Sequence, residues 1–102
     1  MNDSTSLGRA GSLVSSVQKS YLDCVNGKAA GHEVALFLEA PYGSLRVLSL
    51  FAYGPHLILA NIQSAGEHPD ILYHPVEMAS FRISHFKPSN EKDRIVVGFS
   101  SS

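Results

Sequence analysis

The chain has 102 residues, 44% of them hydrophobic and 17% charged, which suits one domain, is too apolar for a disordered chain, and leaves apolar surface for something to cover. Eight Lys and Arg against nine Asp and Glu give a net charge of −1, and Arg46 is the only Lys or Arg between Ala29 and Phe81. That distribution argues against tight nucleic-acid binding through many neutralised phosphates. A lone Cys24, no early apolar signal run and no segment near about 18 unbroken apolar residues make a soluble intracellular protein the expectation, with no membrane contact.

Residues 1–11 are polar and carry Gly8 and Gly11, so they read as a flexible lead-in. Val14, Val17, Tyr21, Leu22 and Val25 then recur at helical spacing, with Ser12 as the N-cap and Asn26-Gly27 as the stop. This predicts one amphipathic helix that must pack its stripe on whatever follows, because a segment of that length is marginal alone in water.

From His32 to Phe86 the pattern changes to short apolar runs cut by Gly, Pro and Asn, the pattern of a small bent antiparallel sheet. His32 to Glu39 is the first predicted strand, apolar on both faces. Ala40-Pro41-Tyr42-Gly43 is a tight reversal. Ser44 to Ala52 is the second strand, ended by Tyr53-Gly54-Pro55, and His56 to Ile62 the third. Gln63 to Asp70 is a loop. Ile71 to His74 is a short fourth strand, since Pro75 has no N–H for a ladder, and a single turn joins it to a fifth from Ala79 to Phe86. Lys87 to Arg94 is a charged linker, and Ile95 to Phe99 a β-prone tail. The predicted fold is therefore mainly β: a small barrel of five bent antiparallel strands preceded by an N-terminal helix. The domain plan is residues 1–11 as lead-in, 12–86 as the folded domain, and 87–102 as linker and tail.

Candidate chemistry is sparse. The five histidines are scattered over different elements, whereas zinc needs three or four converging ligands. Cys24 sits beside an apolar stripe, where a small thiol ordinarily packs. Glu39, Glu67, Asp70 and Glu77 occupy mostly turn or loop positions, and no Gly-rich phosphate loop follows a strand. No catalytic residue, metal site, cofactor or small-molecule substrate is expected, and the chain is not read as an enzyme. The residues left over are apolar and edge-forming. Ile71, Leu72 and Tyr73 carry no charge, and the fifth strand has only Arg82 beside Phe81 and Ile83; uncharged edges of that kind pair with another chain or are covered by their own tail. Pairing is the expectation, with Ile71, Leu72, Tyr73, Phe81 and Ile83 at the partner-binding edges.

The order of elements resembles the Sm-like family. Tyr21-Leu22, Gly31-His32-Glu33-Val34 with Phe37-Leu38, the Leu57 to Ile62 strand and the closing ILYHPVEMASFRISHF look most like a Gemin-type Sm-like subunit of the survival-of-motor-neuron (SMN) complex. Bacterial Hfq is the second resemblance, through YLDCVNGK, EVALFLEAPYGSLRVLSLF and Leu72-Tyr73-His74. The first implies a scaffold that heterodimerises with a second Gemin-type subunit, works with other SMN-complex proteins in assembling spliceosomal small nuclear ribonucleoproteins in cytoplasm and nucleus, and touches RNA weakly or indirectly. The second implies a homo-oligomeric RNA-binding ring. An unrelated small β-domain interaction module is the remaining alternative. Sm-like RNA binders usually carry an Asp, a nearby Asn and a closing basic pair. Here Ala52 and Tyr53 follow Phe51, Asn61 lies late in the third strand, and His74-Pro75 stands where the basic pair belongs. A base pocket without those polar groups loses the hydrogen bonds that discriminate bases, so the scaffold reading is the expected function.

Overall fold

In the computed structural model, which describes residues 3–100 and the side chains of residues 8–99, one N-terminal helix is followed by a mainly β body. Helix α1 runs Asp3–Asn26 and is interrupted at Gly8. Strands β1 (Glu33–Ala40), β2 (Gly43–Tyr53), β3 (Leu57–Ile62), β4 (Asp70–Pro75) and β5 (Phe81–Phe86) follow, with a short β6 (Gly98–Ser100) at the end. Single 3-10 turns, Val76–Met78 and Glu91–Asp93, lie before and after β5.

The helix starts earlier than its sequence pattern suggested, and the reason is a contact that no local pattern announces. Gly8 adopts φ 53°, and a Cβ there would lie 2.8 Å from the Cβ of Pro55, so only glycine lets the chain come this close to the β2–β3 turn. Two residues later Ala10 is fully buried and its amide donates to the Pro55 carbonyl at 3.0 Å. Residues 8–11 therefore belong to the packed body rather than to a flexible lead-in, while Met1 and Asn2 lie outside the described residues.

On the helix, Ala10, Val14, Val17 and Tyr21 are buried, a spacing of 4, 3 and 4 that holds one line along a 3.6-residue helix. Leu13, Cys24 and Val25 lie partly buried beside it. Leu22, expected in that stripe, is 46% exposed. Each residue turns the helix by about 100°, so with Tyr21 pointing into the core its neighbour must point away from it.

Strand β2 is the hinge of the sheet. Its first residues, Gly43 to Arg46, pair with β1, and its later part, Val47 to Tyr53, pairs with β3; the register shifts between Val47 and Ser49. Such irregularities bend a strand and increase its twist. Two half-sheets thus share one strand: β5–β1–β2 on one side and β2–β3–β4 on the other, in the order β4–β3–β2–β1–β5. All these pairings are antiparallel. Within the β1–β2 reversal Pro41 occupies the first loop position, and Gly43, at φ 139°, absorbs a backbone conformation that other residues rarely adopt.

Where β2 parts from β1 it leaves one of its own flanks open, because β3 occupies only the other. The C-terminal tail fills that flank: Gly98 to Ser100 pair with Ser49 to Phe51 in parallel. Tyr21 holds the tail in place, its hydroxyl accepting the Val97 amide at 3.4 Å and its ring lying 5.6 Å from that of Phe99. The core between helix and sheet is built from Leu36, Leu38, Val47, Leu50 and Ile58, all fully buried. The sheet does not close: β4 and β5 are its two ends, where a barrel would have joined them.

Candidate functional site

The expected partner-binding residues divide between the two ends and do not share one environment. On β4, Ile71 is 64% and Tyr73 52% exposed, whereas Leu72 turns inward and packs partly buried against the core. This alternation follows from the period of two along a strand. Phe81 and Ile83 on β5 are different. They pair with Leu38 and Leu36 of β1, pack partly buried against the core, and line a groove of about 260 Å³ with Ser16, Val17 and Ser20 of the helix. At β5 the apolar side chains thus belong to the body of the fold, and at β4 they face solvent.

The β4 end continues into an apolar surface. Ladder partners place Tyr53, Leu57 and Pro75 in one row, Phe51, Leu59 and Tyr73 in the next, and Ser49, Asn61 and Ile71 in a third. The intervening residues Leu50, Ala52, Ile58 and Ala60 are buried in the core, so these rows occupy the outer face of the second half-sheet. The three rows contain no charged residue. Tyr53 and Tyr73 meet edge to face with centroids 5.2 Å apart, and Asn61 is already engaged, donating to the Ser49 hydroxyl at 2.6 Å. Ala52, next to Tyr53 on this strand, points into the core.

The outer face of the first half-sheet has the opposite character. The Arg82 guanidinium lies 4.4 Å from the centroid of Phe37 and donates to Glu39 at 2.7 Å. Arg46 stacks over Phe86 at 5.0 Å and donates to the Asp93 carbonyl at 3.0 Å. Hydrogen bonds from the Ser44 hydroxyl and then from Arg82 hold the Glu39 carboxyl below its ordinary range. The Lys28 ammonium, donating at 2.9 Å, does the same for Glu33, against an opposing effect of burial. Sequence reading missed this cluster, because its cations come from the connection before β1, from β2 and from β5, and no local run contains two of them.

The histidines remain dispersed. His74 contacts the Met78 carbonyl through Nε2 at 3.3 Å, His32 lies near the Ala30 carbonyl, and among the described residues no group of three or more His, Cys, Asp or Glu is placed to hold a metal. No helix among the described residues is long and apolar enough to cross a membrane. What fold and site define is a small mainly β protein with one covering helix, an open sheet and an apolar β4 edge. No family model matches the chain, and neither does any curated protein or solved structure.

Proposed function

We propose that the protein is a non-catalytic Sm-like scaffold subunit that pairs through its β4 edge with a second, Gemin-type Sm-like polypeptide in an SMN-type complex assembling spliceosomal small nuclear ribonucleoproteins. The observation that carries this reading is the state of β4: an end strand of an open sheet with no charge from Ile71 to Tyr73 and with the outward side chains of Ile71 and Tyr73 exposed. A strand laid against β4 takes up its free backbone donors and acceptors while covering Ile71 and Tyr73. The tail supports the reading by its position. It occupies the flank of β2 left open by β1 and so leaves both sheet ends available. The helix-first order, the bent β2 and the short β4 joined by one turn to β5 are the features that favour an Sm-like fold. The setting in cytoplasm and nucleus, and the other proteins of the complex, come from the resemblance of the closing ILYHPVEMASFRISHF stretch.

Co-purification from the native cell followed by native mass spectrometry tests the proposal. A stoichiometric complex with one different Sm-like polypeptide is expected. A stable monomer, or a homo-oligomeric ring with no second Sm-like chain, overturns it.

A further inference from the structure

The linker after β5 turns the outer face of the first half-sheet into a cleft of about 380 Å³, within the range of small-ligand sites, roughly 300–1,000 Å³. Its floor is Phe37, Arg46, Arg82, Ser84 and Phe86, and its wall includes Lys87 and Asp93. Three cations against one carboxylate is an unusual local balance on a chain whose net charge is −1. The cations are not equivalent. Arg82 is matched by Glu39 at 2.7 Å, while among the described residues Arg46 and Lys87 have no carboxylate within ion-pair distance. Asp93 does not neutralise Arg46: its backbone carbonyl accepts the guanidinium, and its carboxylate accepts the Ser89 hydroxyl at 3.1 Å and the Ser89 amide at 3.4 Å.

Arg46 is also held in position before any ligand arrives. Its guanidinium carbon lies over the Phe86 ring and one nitrogen is fixed on the Asp93 carbonyl, which leaves the rest of its fork of donors for another acceptor. A carboxylate is satisfied by less, as Glu39 is by one Arg82 nitrogen and the Ser44 hydroxyl. Two unmatched cations on one cleft suit a group with more charge and more acceptor oxygens, and a phosphate monoester, with a charge of about −1.5 to −2 and three terminal oxygens, supplies both. A bare phosphate leaves much of the volume empty, and the parts of the Phe37 and Phe86 rings that the two guanidiniums leave uncovered offer apolar surface to an organic body.

We infer that the cleft between the β5–β1–β2 face and the 87–93 linker binds a small organic phosphate monoester, with Arg46 and Lys87 taking the phosphate, Ser84 donating a hydroxyl, and Phe37 and Phe86 bordering the organic group. The inference does not depend on the β4 edge. The experiment is a titration of the isotopically labelled full chain with phenyl phosphate at constant ionic strength, followed by amide NMR shifts, with benzoate as the single-charge comparison. Saturable shifts centred on Phe37, Arg46, Ser84 and Lys87 are expected, at least tenfold weaker for benzoate and at least tenfold weaker in Arg46→Gln. Should Arg46→Gln disturb the fold, Lys87→Gln, on an exposed linker position, is expected to weaken binding at least threefold with an unchanged free spectrum. Shifts that rise linearly without saturating, equal affinity in Lys87→Gln, or saturable binding to an RNA oligonucleotide but not to phenyl phosphate, each overturn it.

Discussion

The two outer faces of this one bent sheet share a strand and little else. On the β2–β3–β4 side, rows of Phe51, Leu59 and Tyr73, and of Tyr53 and Leu57, present rings and alkyl groups with no charge among them. On the β5–β1–β2 side every aromatic residue of the cleft floor carries a guanidinium, Arg82 on Phe37 and Arg46 on Phe86. The break falls at the irregularity between Val47 and Ser49. The two faces therefore suit different things. Exposed apolar surface gains free energy by being covered over a wide area, whereas a cleft of fixed cations selects a compact, charged group. A single strand that bends in its middle lets a small domain hold both surfaces without bringing them together.

The comparison breaks most completely if the layer beneath both faces is removed. Leu36 is fully buried where helix and sheet meet, and Leu36→Ala is expected to cost about 2–5 kcal/mol, read as a lower denaturant midpoint with both surfaces lost together. A smaller but selective break is Tyr73→Asp. It puts a charge on an exposed position of the β4 edge, and it should weaken partner pairing by about 2 kcal/mol or more in a pull-down titration while the free chain stays folded, its melting temperature lowered by no more than about 8 °C through loss of the Tyr53 contact. Ile83 is unsuited to that test, because it packs beside the core and an Asp there damages the fold before it reports on a partner.

Finer changes sharpen the account of how the ends are kept free. Removing the Tyr21 hydroxyl takes away the acceptor of the Val97 amide, so Tyr21→Phe should cost about 0.5–1.5 kcal/mol and speed hydrogen exchange at Val97 more than at Leu36. Leu22→Ala, at a half-exposed position, is expected to change stability by no more than about 0.5 kcal/mol; a loss of 2 kcal/mol or more places Leu22 in the core and revises the helix orientation. The charged face has a pH signature of its own. Because Ser44 and Arg82 depress the Glu39 pKa in the folded chain, the contribution of Glu39 to stability is full above its unfolded value of about 4.3 and is lost as pH falls through the lower folded value. Carboxyl carbon shifts should give a Glu39 midpoint below that of an unfolded glutamate that moves upward in Ser44→Ala, and an unmoved midpoint removes Ser44 as the cause.

Much of this architecture was legible in the amino-acid order, and the exceptions have definite causes. Alternation with Gly and Pro breaks placed all five main strands to within a residue or two, because period-two burial and turn chemistry are local. The helix start was missed, since what extends the packed body to Ala10 is a close approach to Pro55, a residue far along the chain. The barrel expected from five strands is an open sheet, because strand count carries no information on whether β4 and β5 meet. At the candidate site, Ile71 and Tyr73 are exposed on an end strand, yet Phe81 and Ile83, equally uncharged, are turned against the core, and only the pairing with Leu36 and Leu38 tells the two strands apart. The cation cleft was invisible: Arg46 stands alone in its stretch of sequence, and Arg82 and Lys87 reach it only through the β1–β5 ladder and the linker.

If a different chain extends the sheet at β4, hydrogen exchange on the co-purified complex will report it. In the free protein the outward-facing amides of an end strand lack ladder partners and exchange fast. The account predicts that, on complex formation, amides within Ile71 to His74 become strongly protected while those of Phe81 to Phe86 change little. Protection confined to β5, or a complex whose formation leaves β4 exchange unaltered, contradicts it.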